Sequence, residues 1–149
     1  MPRIFAVFFA TKMFASTQEI ELSGTTSPNS TITVLLIDDN PIQAATRQTI
    51  LKRAGYFVIP VLNPERALEQ FRQNDFPSEV DLVITDHVMP AMTGSEFVRK
   101  LREFKPDLPV LVISGMEEAE QEYEGLNVLF RLKPLLPDNL LASVDRLAS

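Results

Sequence analysis

"VLLIDDNP", Val34 to Pro41, decides how this chain is read. Four apolar residues run without a break into two adjacent aspartates, then asparagine and proline. A continuous apolar run of this kind suits a strand covered on both faces. Asn40 can cap a helix and Pro41 fits its first turn. Asp38 and Asp39 therefore stand where a buried strand meets a helix start. Like charges side by side repel, so something must neutralise them.

The same alternation continues downstream. "PIQAATRQTILKRAG" reads as a helix with Ile42, Ala45, Thr49, Ile50 and Ala54 near helical spacing, ended by Gly55. "YFVIPVL" is a second strand, and "NPERALEQFRQ" opens a second helix. "DLVITD" is a third strand, and "GSEFVRKLREF" a third helix with Phe97, Leu101 and Phe104 on one side. "LPVLVISG" is a fourth strand, "MEEAEQEYEG" a short acidic fourth helix, "NVLFRLKP" a fifth strand and "PDNLLASVDRLA" a closing helix. Strands alternating with helices imply an α/β fold, a doubly wound five-stranded parallel sheet with helices on both faces. Right-handed crossovers restrict its topology further.

Upstream the pattern is absent. Residues 1–31 end in "STQEIELSGTTSPNST", with Gly24 and Pro28 as breakers, and read as a flexible leader. "RIFAVFFATKMF" is the alternative there, a short apolar helix for a partner or a second copy. The charges of this leader cancel, so the net charge of -6 belongs to residues 32–149. Lys12 interrupts the only signal-like core, and no small-x-small cleavage site follows. No apolar run approaches the roughly 20 residues of a spanning helix.

Composition excludes several chemistries. An acidic chain lacks the basic face that nucleic acid requires. One histidine and no cysteine exclude disulfides and argue against structural zinc. A length of 149 residues suits a single core.

Ligands of such a sheet bind at the carboxyl ends of the strands. Asp38 and Asp39 end the first strand, Asp86 the third and Ser114 the fourth, while Lys133-Pro134 follows the fifth. Three carboxylates with one lysine leave a local charge near -2, which a divalent cation would offset. An all-oxygen set without histidine or cysteine suits Mg²⁺.

"VLLIDDN", "LVITDHVMPAMTG", "VLVISG" and "RLKP", in this order, resemble the receiver domain of two-component response regulators over residues 32–149. The wording of "TDHVMPAMTG" is also similar to receivers of hybrid sensor kinases. The resemblance implies a flavodoxin-like strand order 2-1-3-4-5. It implies that Asp86 accepts a phosphoryl group from a phosphohistidine on a sensor histidine kinase or phosphotransfer protein. Asp39 and Asp86 would hold Mg²⁺ with the backbone carbonyl of Val88, and Asp38 would act mainly through water. Lys133, after which a cis Lys-Pro bond is implied, would hold a phosphoryl oxygen. Ser114 would bind the phosphoryl group after transfer, and Phe130 matches the aromatic switch position. The expected product is a cytoplasmic phosphoacceptor, monomer or weak dimer, acting on a downstream protein and not a conventional enzyme. With nothing following Ser149, output is expected through protein contact or phosphorelay.

Other readings accompany that one. Asp39 and Asn40 could merely cap a helix, and Asp86 could be a turn residue. Lys133 could be a solvated lysine, Ser114 a plain strand-end hydroxyl and Phe130 plain core. His87 is expected to face solvent, although it could tune acyl-phosphate lifetime. Met89 and Pro90 shape the loop, and Gly94 is expected to supply a permissive turn. The acidic run Glu117, Glu118, Glu120, Glu122 and Glu124 is expected to be a solvated face. The segment between Ser114 and Lys133 is shorter than in common receivers, so its helix is expected to be short, displaced or disordered. An atypical, phosphorylation-independent module and the excised receiver of a hybrid kinase are the alternatives. A phosphatase of the aspartate-nucleophile class would want a second aspartate where Val88 stands.

Overall fold

The computed structural model describes residues 30–149. The leader read over residues 1–31 lies outside the described residues except for its last two. Thr33–Ile37 forms β1, and Phe57–Val61, Leu82–Asp86, Val110–Ser114 and Leu129–Leu132 form β2 to β5. All pair in parallel, in the order β2-β1-β3-β4-β5. The expected doubly wound fold and strand order are what the chain adopts.

Strands β1, β3 and β4 are buried along their full length. Alternate side chains therefore feed two cores. Leu35, Ile37, Val83 and Val112 pack with Phe97 and Leu101 on one face. Val34, Leu36, Ile84 and Leu111 pack with Leu51, Leu140 and Val144 on the other.

Four α-helices cover these faces: α1 Pro41–Arg53, α2 Pro64–Gln73, α3 Gly94–Arg102 and α4 Pro137–Ala148. Asn40 and Asn63 cap α1 and α2, each accepting two backbone N–H groups ahead of a proline. Thr93 and Glu96 close a reciprocal capping box on α3.

Of the residues at helical spacing in α1, only Ile50 packs partly against the core. Ile42 is 80% exposed and Ala45, Thr49 and Ala54 are also exposed, while Ala44, Arg47 and Leu51 are buried. The pattern misled because the buried stripe contains an arginine, whose reason for being there lies in the site below.

The expected fourth α-helix is a 3₁₀ segment, Glu117–Tyr123. An α-helix would set Glu118 over Glu122 and Glu120 over Glu124, and like charges at that spacing are unfavourable. The segment is nevertheless anchored, with Ala119 and Tyr123 buried. Arg102 secures the neighbouring loops, donating to the carbonyls of Lys105, Leu108, Leu126 and Asn127 at 2.7 to 3.0 Å.

Candidate functional site

The parallel sheet brings the ends of β1, β3 and β5 to one edge. Asp38, Asp39 and Asp86 each offer a carboxylate oxygen there, all within 4.8 Å of one another. Asp38 and Asp86 are buried, whereas Asp39 is exposed. Lys133 follows β5, its bond to Pro134 is cis, and its Nζ lies 3.1 Å from Asp86 Oδ1.

Two further side chains enter from α1. Arg47 Nη1 lies 3.1 Å from Asp38 Oδ2 and 3.1 Å from Asp86 Oδ1. Gln43 Nε2 donates to Asp38 Oδ2 at 3.0 Å and to Asp86 Oδ2 at 3.1 Å. The local charge of -2 read from sequence therefore needs correcting. Three carboxylates face two cations, which leaves one net negative charge. A signal for these residues was present: Gln43 and Arg47 stand four apart, on one helical face, and Arg47 continues the stripe of Ala44 and Leu51.

Burial pushes the Asp38 carboxyl up to about 6, and the neighbouring Asp86 adds to the rise. The Asn40 amide at 3.0 Å and Gln43 partly offset it.

Ser114 is buried at the end of β4. Its Oγ accepts the Met116 N–H at 2.9 Å and donates to the Met116 carbonyl at 3.3 Å. Val88, two residues after β3, exposes its side chain. Phe130 is half-buried against Tyr123, with ring centroids 5.8 Å apart.

Two expectations about the surrounding loop fail. His87 does not face solvent, being only 4% exposed. Its Nδ1 lies 2.6 Å from the Tyr123 hydroxyl, and its Nε2 lies 3.6 Å from Glu122. Burial, with the Glu122 charge, holds the Tyr123 hydroxyl above its ordinary range, so it remains a proton donor. A hydroxyl that keeps its proton can donate to Nδ1, and that arrangement leaves the ring proton on Nε2, toward Glu122. Glu122 is exposed with the rest of the acidic run, as expected, and also accepts from Ser95 Oγ at 2.8 Å.

Gly94 does not supply a left-handed turn. It is absent from the positive-φ residues and opens α3. What it supplies is the absence of a side chain. A Cβ there would stand 2.6 Å from the Asp86 carbonyl and 3.0 Å from His87 Cα, and would strike the Tyr123 hydroxyl.

Comparison with known proteins fits this geometry. Residues 34–145 match the response regulator receiver domain family. The chain belongs to that family. The receiver domain is 35% identical over 101 residues to the autoinducer 1 sensor kinase/phosphatase LuxN of Vibrio campbellii, covering 68% of this chain and 11% of that protein. It is 39% identical over 117 residues to the C4-dicarboxylate transport transcriptional regulatory protein DctD of Pseudomonas aeruginosa, covering 76% of this chain and 24% of the other. The receiver thus spans a small part of these relatives. The chemotaxis response regulator CheY4 of Vibrio cholerae superimposes with a TM-score of 0.70 at 28% identity, over 79% of this chain and 99% of that one.

Proposed function

We propose that this receiver accepts a phosphoryl group on Asp86 from a phosphohistidine of a sensor kinase or phosphotransfer protein, and signals through protein contact. The supporting observation is Lys133 Nζ on Asp86 Oδ1 beside three convergent carboxylates. The donor set of Asp38, Asp39 and Asp86 fits Mg²⁺, being all oxygen and close enough to share one ion. The Val88 carbonyl is the fourth ligand assigned. When bound, Mg²⁺ supplies positive charge beside the phosphoryl oxygens.

The chemistry of the chain itself is short. An Asp86 carboxylate oxygen forms a bond to phosphorus as the donor's N–P bond breaks, and the imidazole nitrogen keeps the bonding pair. Lys133 offsets charge on the transferring group. Positioning and charge neutralisation account for most of the rate of such a transfer. The new oxygens then draw Ser114 away from Met116, and Phe130 turns inward from its half-buried position. The phosphate supplies the contacts that favour this second arrangement. The protein is a cytoplasmic phosphoacceptor with self-catalysed gain and loss of phosphate, not a conventional enzyme. Among the described residues no helix is long and apolar enough to cross a membrane.

Treatment with acetyl phosphate or phosphoramidate and Mg²⁺, followed by intact mass, tests the reading. One added phosphoryl group is expected, lost in Asp86→Asn. No gain of mass under these conditions would leave a phosphorylation-independent interaction module in its place.

A further inference from the structure

We propose that Arg47 is a built-in counter-cation that Mg²⁺ must displace, so that this residue sets the metal affinity of the site. The inference rests on the phosphoacceptor reading above and concerns how that site is controlled.

The geometry is specific. A single guanidinium nitrogen bridges Asp38 and Asp86 at 3.1 Å to each. These are two of the three carboxylates that could share an ion. The Arg47 side chain is only 10% exposed. A buried arginine requires paired carboxylates, and here the pairing is with the site itself.

The oxygens are already in use. Asp86 Oδ1 faces Arg47 and Lys133, and Oδ2 accepts from Gln43. Asp38 Oδ2 accepts from Arg47 and Gln43. A divalent ion needs lone pairs of this cluster for direct coordination. It would also meet a guanidinium a few ångströms away, in surroundings where like charges repel strongly. Gln43 is neutral and can stay. Lys133 is 35% exposed against 10% for Arg47, so solvent screens its charge better and it opposes an ion less. Arg47 is therefore the group that yields.

It also has somewhere to go. A cleft of about 590 Å³ is lined by Gln43, Thr46, Arg47, Ile50, Lys133 and Pro134 among others. Arg47 lines this cleft and the carboxylate cluster at once, so a change of rotamer takes the guanidinium from one to the other. Without metal the site is largely neutralised from within. Mg²⁺ has to compete, and the concentration at which the receiver becomes competent is raised.

Calorimetric titration of the full chain with MgCl₂ at fixed ionic strength tests this, comparing wild type with Arg47→Met and Arg47→Lys. Arg47→Met is expected to bind Mg²⁺ about tenfold tighter or more, as removal of one adjacent charge implies. Its melting temperature in EDTA is expected to fall, and Mg²⁺ to restore more of it than in wild type. Arg47→Lys, which keeps the charge, is expected to stay closer to wild type. Equal or weaker binding by Arg47→Met overturns the proposal. Should Arg47→Met fail to fold, the Arg47 Nε–H resonance of the wild type decides. It is expected to shift on saturation with Mg²⁺, and an unchanged resonance overturns the proposal. Absence of Mg²⁺ binding by all three chains instead overturns the phosphoacceptor reading, and this inference with it.

Discussion

His87 Nδ1 and the Tyr123 hydroxyl lie 2.6 Å apart, joining the residue after Asp86 to the last residue of the 3₁₀ segment. Both residues are buried. Tyr123 also packs on Phe130, so one side chain touches the residue after Asp86 and a ring of β5 together.

That hydrogen bond should be measurable. Tyr123→Phe keeps the ring but leaves His87 Nδ1 buried without its partner. An unsatisfied buried polar group costs about 1–3 kcal/mol. Urea unfolding should show the midpoint falling by a corresponding amount with an unchanged slope. An unchanged midpoint would mean that water serves His87 equally well.

Gly94→Ala should destabilise the protein even though alanine is the better helix former. The propensity gain is at most about 1 kcal/mol. Against it stands a Cβ 2.6 Å from the Asp86 carbonyl, a backbone atom that cannot rotate away. Overpacking of this kind costs about 1–3 kcal/mol. The strain falls on Asp86 itself, so phosphorylation by a small donor should slow as well. A variant of wild-type stability and labelling rate would refute the steric account.

The Asp38 carboxyl gives a signed pH dependence. Its value is raised from 3.8 to about 6, so the folded chain binds this proton more tightly than the unfolded chain. Stability linked to Asp38 is therefore fully present at low pH, falls as pH rises from about 4 to about 6, and is flat above. Chemical denaturation in EDTA, wild type against Asp38→Asn, reads the group together with its effect on the neighbouring Asp86. The advantage of Asp38→Asn should grow across that window and then level off. A difference independent of pH would contradict the raised value.

Lys133→Ala should still accept a phosphoryl group from acetyl phosphate, because Asp86 and the acidic cluster remain. The response should suffer. Phosphorylation of wild type is expected to shift the backbone resonances of Ser114 and Phe130, and those shifts should be lost or much reduced in the variant. Full shifts in Lys133→Ala would remove Lys133 from the switch.

How far the sequence could be read depended on the range of each interaction. The strands, the Asn-Pro helix starts and the strand-end positions of Asp38, Asp86 and Ser114 were legible, because local pattern and capping specify them. Helix α1 was legible as a helix but not in its orientation. Its inward stripe holds Arg47, a residue that looks solvent-bound until the carboxylates it serves are brought beside it.

The acidic run shows the same division. Charge repulsion along Glu117 to Glu124 is a sequence property, and it accounts for the lost α-helix. That Glu122 turns back to Ser95 and His87 is not, since Ser95 arrives on α3 and His87 just after β3. Sequence alone determined the alternating elements, the parallel sheet and the edge at which the polar groups gather, because hydrophobic period and turn chemistry act over a few residues. Only the tertiary structure decided which cation neutralises the aspartates, why Gly94 must lack a side chain, and how His87 is buried. Those depend on distances between residues that the chain separates and packing brings within hydrogen-bonding reach.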